Sequence, residues 1–184
     1  MKQEENFVNQ LTLKFANFFE VQREVWSECG TRRIDMLLSI QGKYHFGIEC
    51  KAPDKKRGEQ IGRYIQQAHS YTHLKWKYRN DISVQVPIFI CPALSYKYFL
   101  LNEHEVVIDG KKYHQDRHSQ LHSHHTINGM LGVWNVGEVR KTELGFQFSM
   151  NNKPFYEHKS YNNTIISRVH EINYNTYIKR LCNQ

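Results

Sequence analysis

Residues 33–51 read Arg33-Ile34-Asp35-Met36-Leu37-Leu38-Ser39-Ile40, then Gln41-Gly42-Lys43, then Tyr44-His45-Phe46-Gly47-Ile48-Glu49-Cys50-Lys51. Two runs rich in apolar and β-branched residues flank a glycine that tolerates positive φ, which is the pattern of a β-hairpin. A three-residue loop centred on Gly42 sets Asp35 directly opposite Glu49 on one sheet face, with Cβ atoms about 5 Å apart. Lys51 then falls on the same face, roughly 7 Å further along its strand. Acid-x-Lys triplets also arise by chance on wet strand faces. Here, however, Asp35 sits inside Ile34-Asp35-Met36-Leu37-Leu38 and Glu49 closes Phe46-Gly47-Ile48. Carboxylates embedded in apolar strands need a partner, and a divalent cation bound by both is a natural one.

Working outward, Phe7, Val8, Leu11, Phe15, Phe18 and Phe19 recur at three- and four-residue steps and predict an amphipathic helix over 4–19. A strand over 21–26 follows, separated from the hairpin by Gly30. Beyond the hairpin, Ile61, Tyr64, Ile65, Ala68, Tyr71 and Leu74 predict a long second helix, and 84–91, ended by Pro92, reads as a buried strand. The first half is therefore helix, three strands, helix, strand. In the second half, Val106-Val107-Ile108 before Asp109-Gly110 predicts a hairpin, and 132–150 predicts further strand with a turn near Gly145. Ile165, Ile166, Val169, Ile172, Ile178 and Leu181 predict a closing helix over 162–181, capped by Asn162 or Asn163.

The 184 residues, 40% hydrophobic and 13% aromatic, suit one domain with a sizeable core, so 1–184 is expected to be a single domain. Lys plus Arg number 25 against 18 Asp plus Glu, a formal charge of +7 that favours a polyanionic partner. Cys29, Cys50, Cys91 and Cys182 form no C-x-x-C pair and no dense framework, which fits a reducing cytoplasm. The opening Met1-Lys2-Gln3-Glu4-Glu5 is acidic and no long apolar run occurs, so neither a signal peptide nor a membrane-spanning helix is expected.

The order helix, strand, Arg33-Ile34-Asp35, hairpin, Ile48-Glu49-Cys50-Lys51, helix resembles the core of the PD-(D/E)XK phosphodiesterases. These include restriction enzymes, archaeal Holliday-junction resolvases and RecB-like exonucleases, and the resemblance covers about residues 4–91. It departs from the family's name in having Ile34 before the aspartate. The resemblance implies an α/β, restriction endonuclease-like αβββαβ core, with a mixed central sheet flanked by helices and a C-terminal β/α extension over about 92–184. It implies a Mg²⁺- or Mn²⁺-dependent deoxyribonuclease. Asp35 and Glu49 would hold the metal, with the backbone carbonyl of Cys50 as a further oxygen ligand, and Lys51 would orient the attacking water or stabilise developing charge. RecB-like members carry Gln-x-x-x-Tyr on the following helix; Gln60-Ile61-Gly62-Arg63-Tyr64 and Gln67-Ala68-His69-Ser70-Tyr71 both match, with Gln60 the first choice and Gln67 the fallback. Resolvase-like members use a glutamate on the first helix, the place of Glu5 or Glu4 here, although a helix N-terminus favours acids for dipole reasons alone.

Lys55, Lys56, Arg57 and Arg63 flank the catalytic edge and are expected to grip DNA phosphates. Lys75, Lys77 and Arg79, interleaved with Trp76 and Tyr78, either touch nucleic acid or end the helix with favourable charge. His114, His118, His122, His124 and His125 include an i, i+4, i+8 series, but a polar loop accounts for them more simply than zinc. The sequence favours an endonuclease, for which a homodimer would suit paired-strand cleavage. The rival reading is a nucleic-acid-binding or inhibitory module on an inactive nuclease fold.

Overall fold

The computed structural model describes residues 2–51, 57–79, 82–94, 106–108, 111–113, 127, 129–142, 144–162 and 164–182, with the backbone alone at 2–4, 57–59, 106–108, 111–113 and 141. The chain is a mixed α/β structure built on an eight-stranded sheet. Helix α1 (Lys2–Phe15) leads into the strands β1 (Glu20–Trp26), β2 (Arg33–Ile40) and β3 (Tyr44–Cys50), with β1 antiparallel to β2 and β2 antiparallel to β3. The β2–β3 turn is the expected three-residue one: Gln41 and Gly42 take φ of 53° and 64°, and the Lys43 N–H donates to the Ile40 carbonyl at 3.0 Å. Helix α2 (Arg57–Thr72) follows, then a small two-stranded sheet of β4 (Lys75–Tyr78) and β5 (Ile82–Gln85). Strand β6 (Ile88–Cys91) returns to the main sheet parallel to β3.

A separate two-stranded ladder joins β7 (Val106–Ile108) to β8 (Lys111–Tyr113), the hairpin expected around Asp109-Gly110. Strand β9 (Gly137–Thr142) lies parallel to β6, and β10 (Gly145–Met150), β11 (Lys153–Tyr161) and β12 (Thr164–Val169) extend the sheet as an antiparallel meander. Helix α3 (Glu171–Cys182) closes the chain. The strand order is β1-β2-β3-β6-β9-β10-β11-β12.

The two sheet faces are buried differently. On one, α1 and α3 cover an aromatic core in which Phe15, Phe19, Phe46, Phe89, Phe146, Phe148 and Tyr156 pack at ring distances of 4.7 to 6.4 Å. On the other, α2 lays Ile65, Ala68 and Tyr71 against Leu37, Ile88 and Ile90. Alternation along β3 sends Tyr44, Phe46, Ile48 and Cys50 to the aromatic face and leaves His45, Gly47 and Glu49 on the α2 face.

Four expected elements need correction. The strand over 84–91 is broken at Val86-Pro87, so β5 and β6 belong to different sheets; proline removes the N–H a continuous ladder would need. The second helix ends at Thr72, and the Lys75 to Arg79 cluster forms β4 and its turn, with Trp76 fully buried and Arg79 donating to Glu20 at 2.5 Å. Residues 129–133 are helical, so strand structure begins only at Gly137. The closing helix over 162–181 is instead a strand and a helix: Asn162, at φ 45°, turns β11 into β12, and Ile165 and Ile166 are exposed strand residues. β-Branched residues at helical spacing suit a strand equally well when a turn precedes them. Among the described residues, no helix is long and apolar enough to cross a membrane.

Candidate active site

The β2–β3 ladder pairs Met36 with Ile48 and Leu37 with Gly47. Carried one step further, that register would set Asp35 opposite Glu49. The local contacts agree, because the Cys50 N–H donates to Asp35 Oδ2 at 2.6 Å. Asp35 is half-buried, Glu49 is 3% exposed and Lys51 is 8% exposed. Lys51 Nζ donates to Glu49 Oε1 at 2.5 Å, and the Lys51 N–H donates to the Cys91 carbonyl at 2.9 Å, which continues the parallel ladder. The two acids and the lysine therefore share one face near the carboxyl end of β3.

Helix α2 supplies the other wall. Gln67 Nε2 donates to the same Glu49 oxygen at 2.7 Å and lies 2.9 Å from the Tyr71 hydroxyl. Tyr64 presents its ring 5.3 Å from Lys51 Nζ, within cation–π range. Burial first, then the Glu49 charge, raises the Tyr71 hydroxyl above its ordinary value, so it stays protonated at neutral pH. The Cys50 thiol points into the aromatic core, where burial, and then the neighbouring Cys91, push it well above the usual thiol range. Such a thiol is no metal ligand at neutral pH, so a contribution from Cys50 would come through its backbone.

Gly47 matters to this geometry. A Cβ there would stand 2.6 Å from Ile88 Cδ1 and 2.8 Å from Ile34 Cδ1. Its bare backbone lets those two isoleucines close over β3, giving Glu49 an apolar floor two residues away.

Set against protein-family models, curated proteins and solved structures, the chain matches none of them. Its functional reading therefore rests on this geometry.

The other expected site residues are placed as follows. Gln60 accepts from the Tyr64 hydroxyl at 2.7 Å, so Gln67 is the glutamine that touches Glu49. Glu5 is exposed on α1, whose apolar residues pack on the opposite sheet face, and no described contact brings it to the cluster. Arg63 is exposed on α2, and Arg57 begins that helix. Lys55, Lys56, the side chain of Glu4 and the histidines at 114–125 lie outside the described residues. Among the described residues, no three His, Cys, Asp or Glu side chains are grouped to hold a metal. A hard cation would thus rely on two carboxylates together with backbone and water oxygens, a donor set that suits Mg²⁺ or Mn²⁺ and not zinc.

One feature was missed in the sequence. Glu138-Val139-Arg140 on β9 repeats the acid-x-base spacing of Glu49-Cys50-Lys51, and Arg140 Nε donates to the buried Glu138 at 3.2 Å. The repeated spacing was visible, but nothing in the sequence says that β9 lies parallel to β3 across one strand.

Proposed function

We propose that this chain is a metal-dependent DNA nuclease, an endonuclease by preference, with a restriction endonuclease-like αβββαβ core. The observation that supports the reading is the meeting of Asp35, Glu49 and Lys51 at the end of the β2–β3 ladder, where the Cys50 N–H donates to Asp35 and Lys51 donates to Glu49. In this reading the two carboxylates hold Mg²⁺ or Mn²⁺. A carboxylate offers about four lone-pair sites on two oxygens, so Glu49 can keep its lysine and glutamine contacts while binding a cation. The N–H and C=O of one strand residue leave on the same side; since the Cys50 N–H reaches Asp35, its carbonyl would lie on the β2 side and would serve as a further oxygen ligand. When bound, the metal lowers the pKa of a coordinated water and neutralises charge on the phosphate.

The protein's own groups do the rest. Lys51 orients the attacking water or stabilises the charge that develops on the phosphate oxygens. Gln67 fixes the Glu49 carboxylate, and Tyr71 fixes Gln67. A reducing, cytoplasmic setting belongs to the same proposal and is supported by the four free thiols Cys29, Cys50, Cys91 and Cys182.

The rival, an inactive nuclease fold that only binds nucleic acid or inhibits, draws on the same Lys51–Glu49 ion pair read as a structural bridge. Supercoiled plasmid, linear duplex, single strands and a four-way junction, each with Mg²⁺ and with chelator, separate the two. The nuclease reading expects Mg²⁺-dependent cutting that Lys51→Ala abolishes or greatly slows. Equal cutting by Lys51→Ala, or no cutting of any substrate by the wild type, refutes it.

A further inference from the structure

The row that contains Glu49 does not end at β3. Glu49 pairs with Ile90 on β6, and Ile90 with Glu138 on β9. All three strands are parallel, so Lys51 and Arg140, each two residues past its glutamate, reach the same carboxyl edge on the α2 face. From Arg140 the register runs on through Gln147 and Glu157 to Arg168. The facing is consistent throughout: Val139, Phe146, Phe148 and Tyr156 enter the aromatic core, so their alternates share the other face.

An ordinary wet face explains exposed charges at alternate positions, but not buried acids beneath them. Here Glu138 is 1% and Glu157 5% exposed. Each holds basic side chains by direct contact. Glu138 accepts from Arg140, which also donates to Asn152 at 3.4 Å. Glu157 takes Arg168 at 2.6 Å and Lys159 at 2.8 Å, and those two side chains are 60% and 42% exposed. Fixing a flexible cation from below, with its outer part in water, reduces the rotamer entropy lost when an anion is bound.

We infer that Gln147, Lys159 and Arg168, with Arg140 as the more enclosed inner end at 16% side-chain exposure, form a track along which duplex DNA lays its phosphate backbone on the way to Lys51. Five strand spacings separate β3 from β12, which at about 4.8 Å each is about 24 Å. That is the rise of about seven base pairs, at 3.4 Å per phosphate of one strand. The inference rests on the nuclease reading for the identity of the ligand, and it assigns the C-terminal meander the task of holding substrate.

The test uses full-length protein carrying Asp35→Asn, so that nothing is cut, and a fluorescein-labelled duplex whose binding is followed by anisotropy across a salt series. Arg168→Gln and Lys159→Gln each leave Glu157 with another cation, and circular dichroism checks their fold. Each is expected to weaken binding several-fold and to reduce the salt slope by about 0.9. Lys179→Gln, on α3 and the opposite face, is the control and is expected to change neither. Unchanged binding by both track variants, or an equal loss in the control, overturns the track while leaving cleavage by the parent protein intact. Track-dependent binding by a wild type that cuts nothing keeps the track and removes the nuclease. Absence of any duplex binding removes the track.

Discussion

Two strands of one sheet carry a glutamate two residues before a basic side chain, Glu49-Cys50-Lys51 on β3 and Glu138-Val139-Arg140 on β9, and their neighbours across the ladder differ. In both, a buried glutamate holds a basic side chain two residues on. Beside Glu49 the antiparallel neighbour presents Asp35; beside Glu138 it presents Ser149. Two acids at strand spacing can share a cation, whereas one acid with a serine can only anchor its arginine. The contrast teaches that a Glu-x-base triplet is not chemistry by itself. In the proposed reading, the residue across the ladder decides whether such a triplet would chelate or merely position.

The strongest way to break this comparison is to remove chelation. Asp35→Asn keeps an oxygen that can accept the Cys50 N–H, and Glu49→Gln keeps the shape of its side chain. Each is expected to slow plasmid cleavage by about a thousand-fold or more and to abolish Mn²⁺ binding in a calorimetric titration. The matching change at Glu138→Gln is expected to leave Mn²⁺ binding intact. If Glu138→Gln also abolishes it, the two triplets are not functionally distinct.

The basic partners sharpen the difference further. Lys51→Ala is expected to reduce kcat by about a hundred-fold, with a smaller change in KM. Arg140→Lys, which retains the charge near Glu138 but loses the planar fork, is expected to raise KM with kcat little altered. Steady-state cleavage of a single-site duplex separates the two. A large fall in kcat for Arg140→Lys would place that side chain at the reacting phosphate.

On α2, Gln67→Ala removes a hydrogen bond to a charged group and is expected to lower the cleavage rate by about ten-fold. Gln60→Ala, which loses only the Tyr64 hydroxyl, is expected to change it less than two-fold, roughly the spread between exposed substitutions. Reversal of that order would return the role to Gln60.

The smallest effect concerns the meander alone. Contact with Lys159, then with Arg168, holds the Glu157 carboxyl below its ordinary value despite burial. Its stabilising contribution is therefore complete above the ordinary carboxylate range and fades as pH falls through and below it. Glu157→Gln is expected to cost about 1–2 kcal/mol at neutral pH, with the gap to wild type in urea unfolding closing as pH falls through and below the ordinary carboxylate range. A gap independent of pH would assign the loss to packing.

Much of this was legible in residues 33–51, because hairpin length, positive-φ tolerance and alternation are local properties. The loop at Gln41-Gly42-Lys43 set the register that pairs Ile40 with Tyr44 through to Met36 with Ile48. The order α1-β1-β2-β3-α2 was legible for the same reason. The choice between Gln60 and Gln67 was not, since periodicity fixes which side of a helix a residue occupies but not its height. Seven residues separate them by about 10.5 Å along the axis, and only packing shows which stands over Glu49. The second triplet was hidden for a different reason: its meaning comes from β6 lying between β3 and β9, with Glu49 paired to Ile90 and Ile90 to Glu138, long-range pairings that no local pattern reports. The exposed isoleucines of β12 misled by fitting two periods at once.

Gly47 has a consequence for how the proposed reaction would respond to ionic strength. With Ile34 and Ile88 closed over the bare backbone, Glu49 and Lys51 stand on a floor of low polarisability, where mobile ions screen little. The exposed cations of the meander face bulk electrolyte and lose their grip as it is concentrated. Added potassium chloride would then act on capture of the substrate and leave the turnover of captured substrate nearly constant, so that one glycine divides the molecule into a screened and an unscreened half.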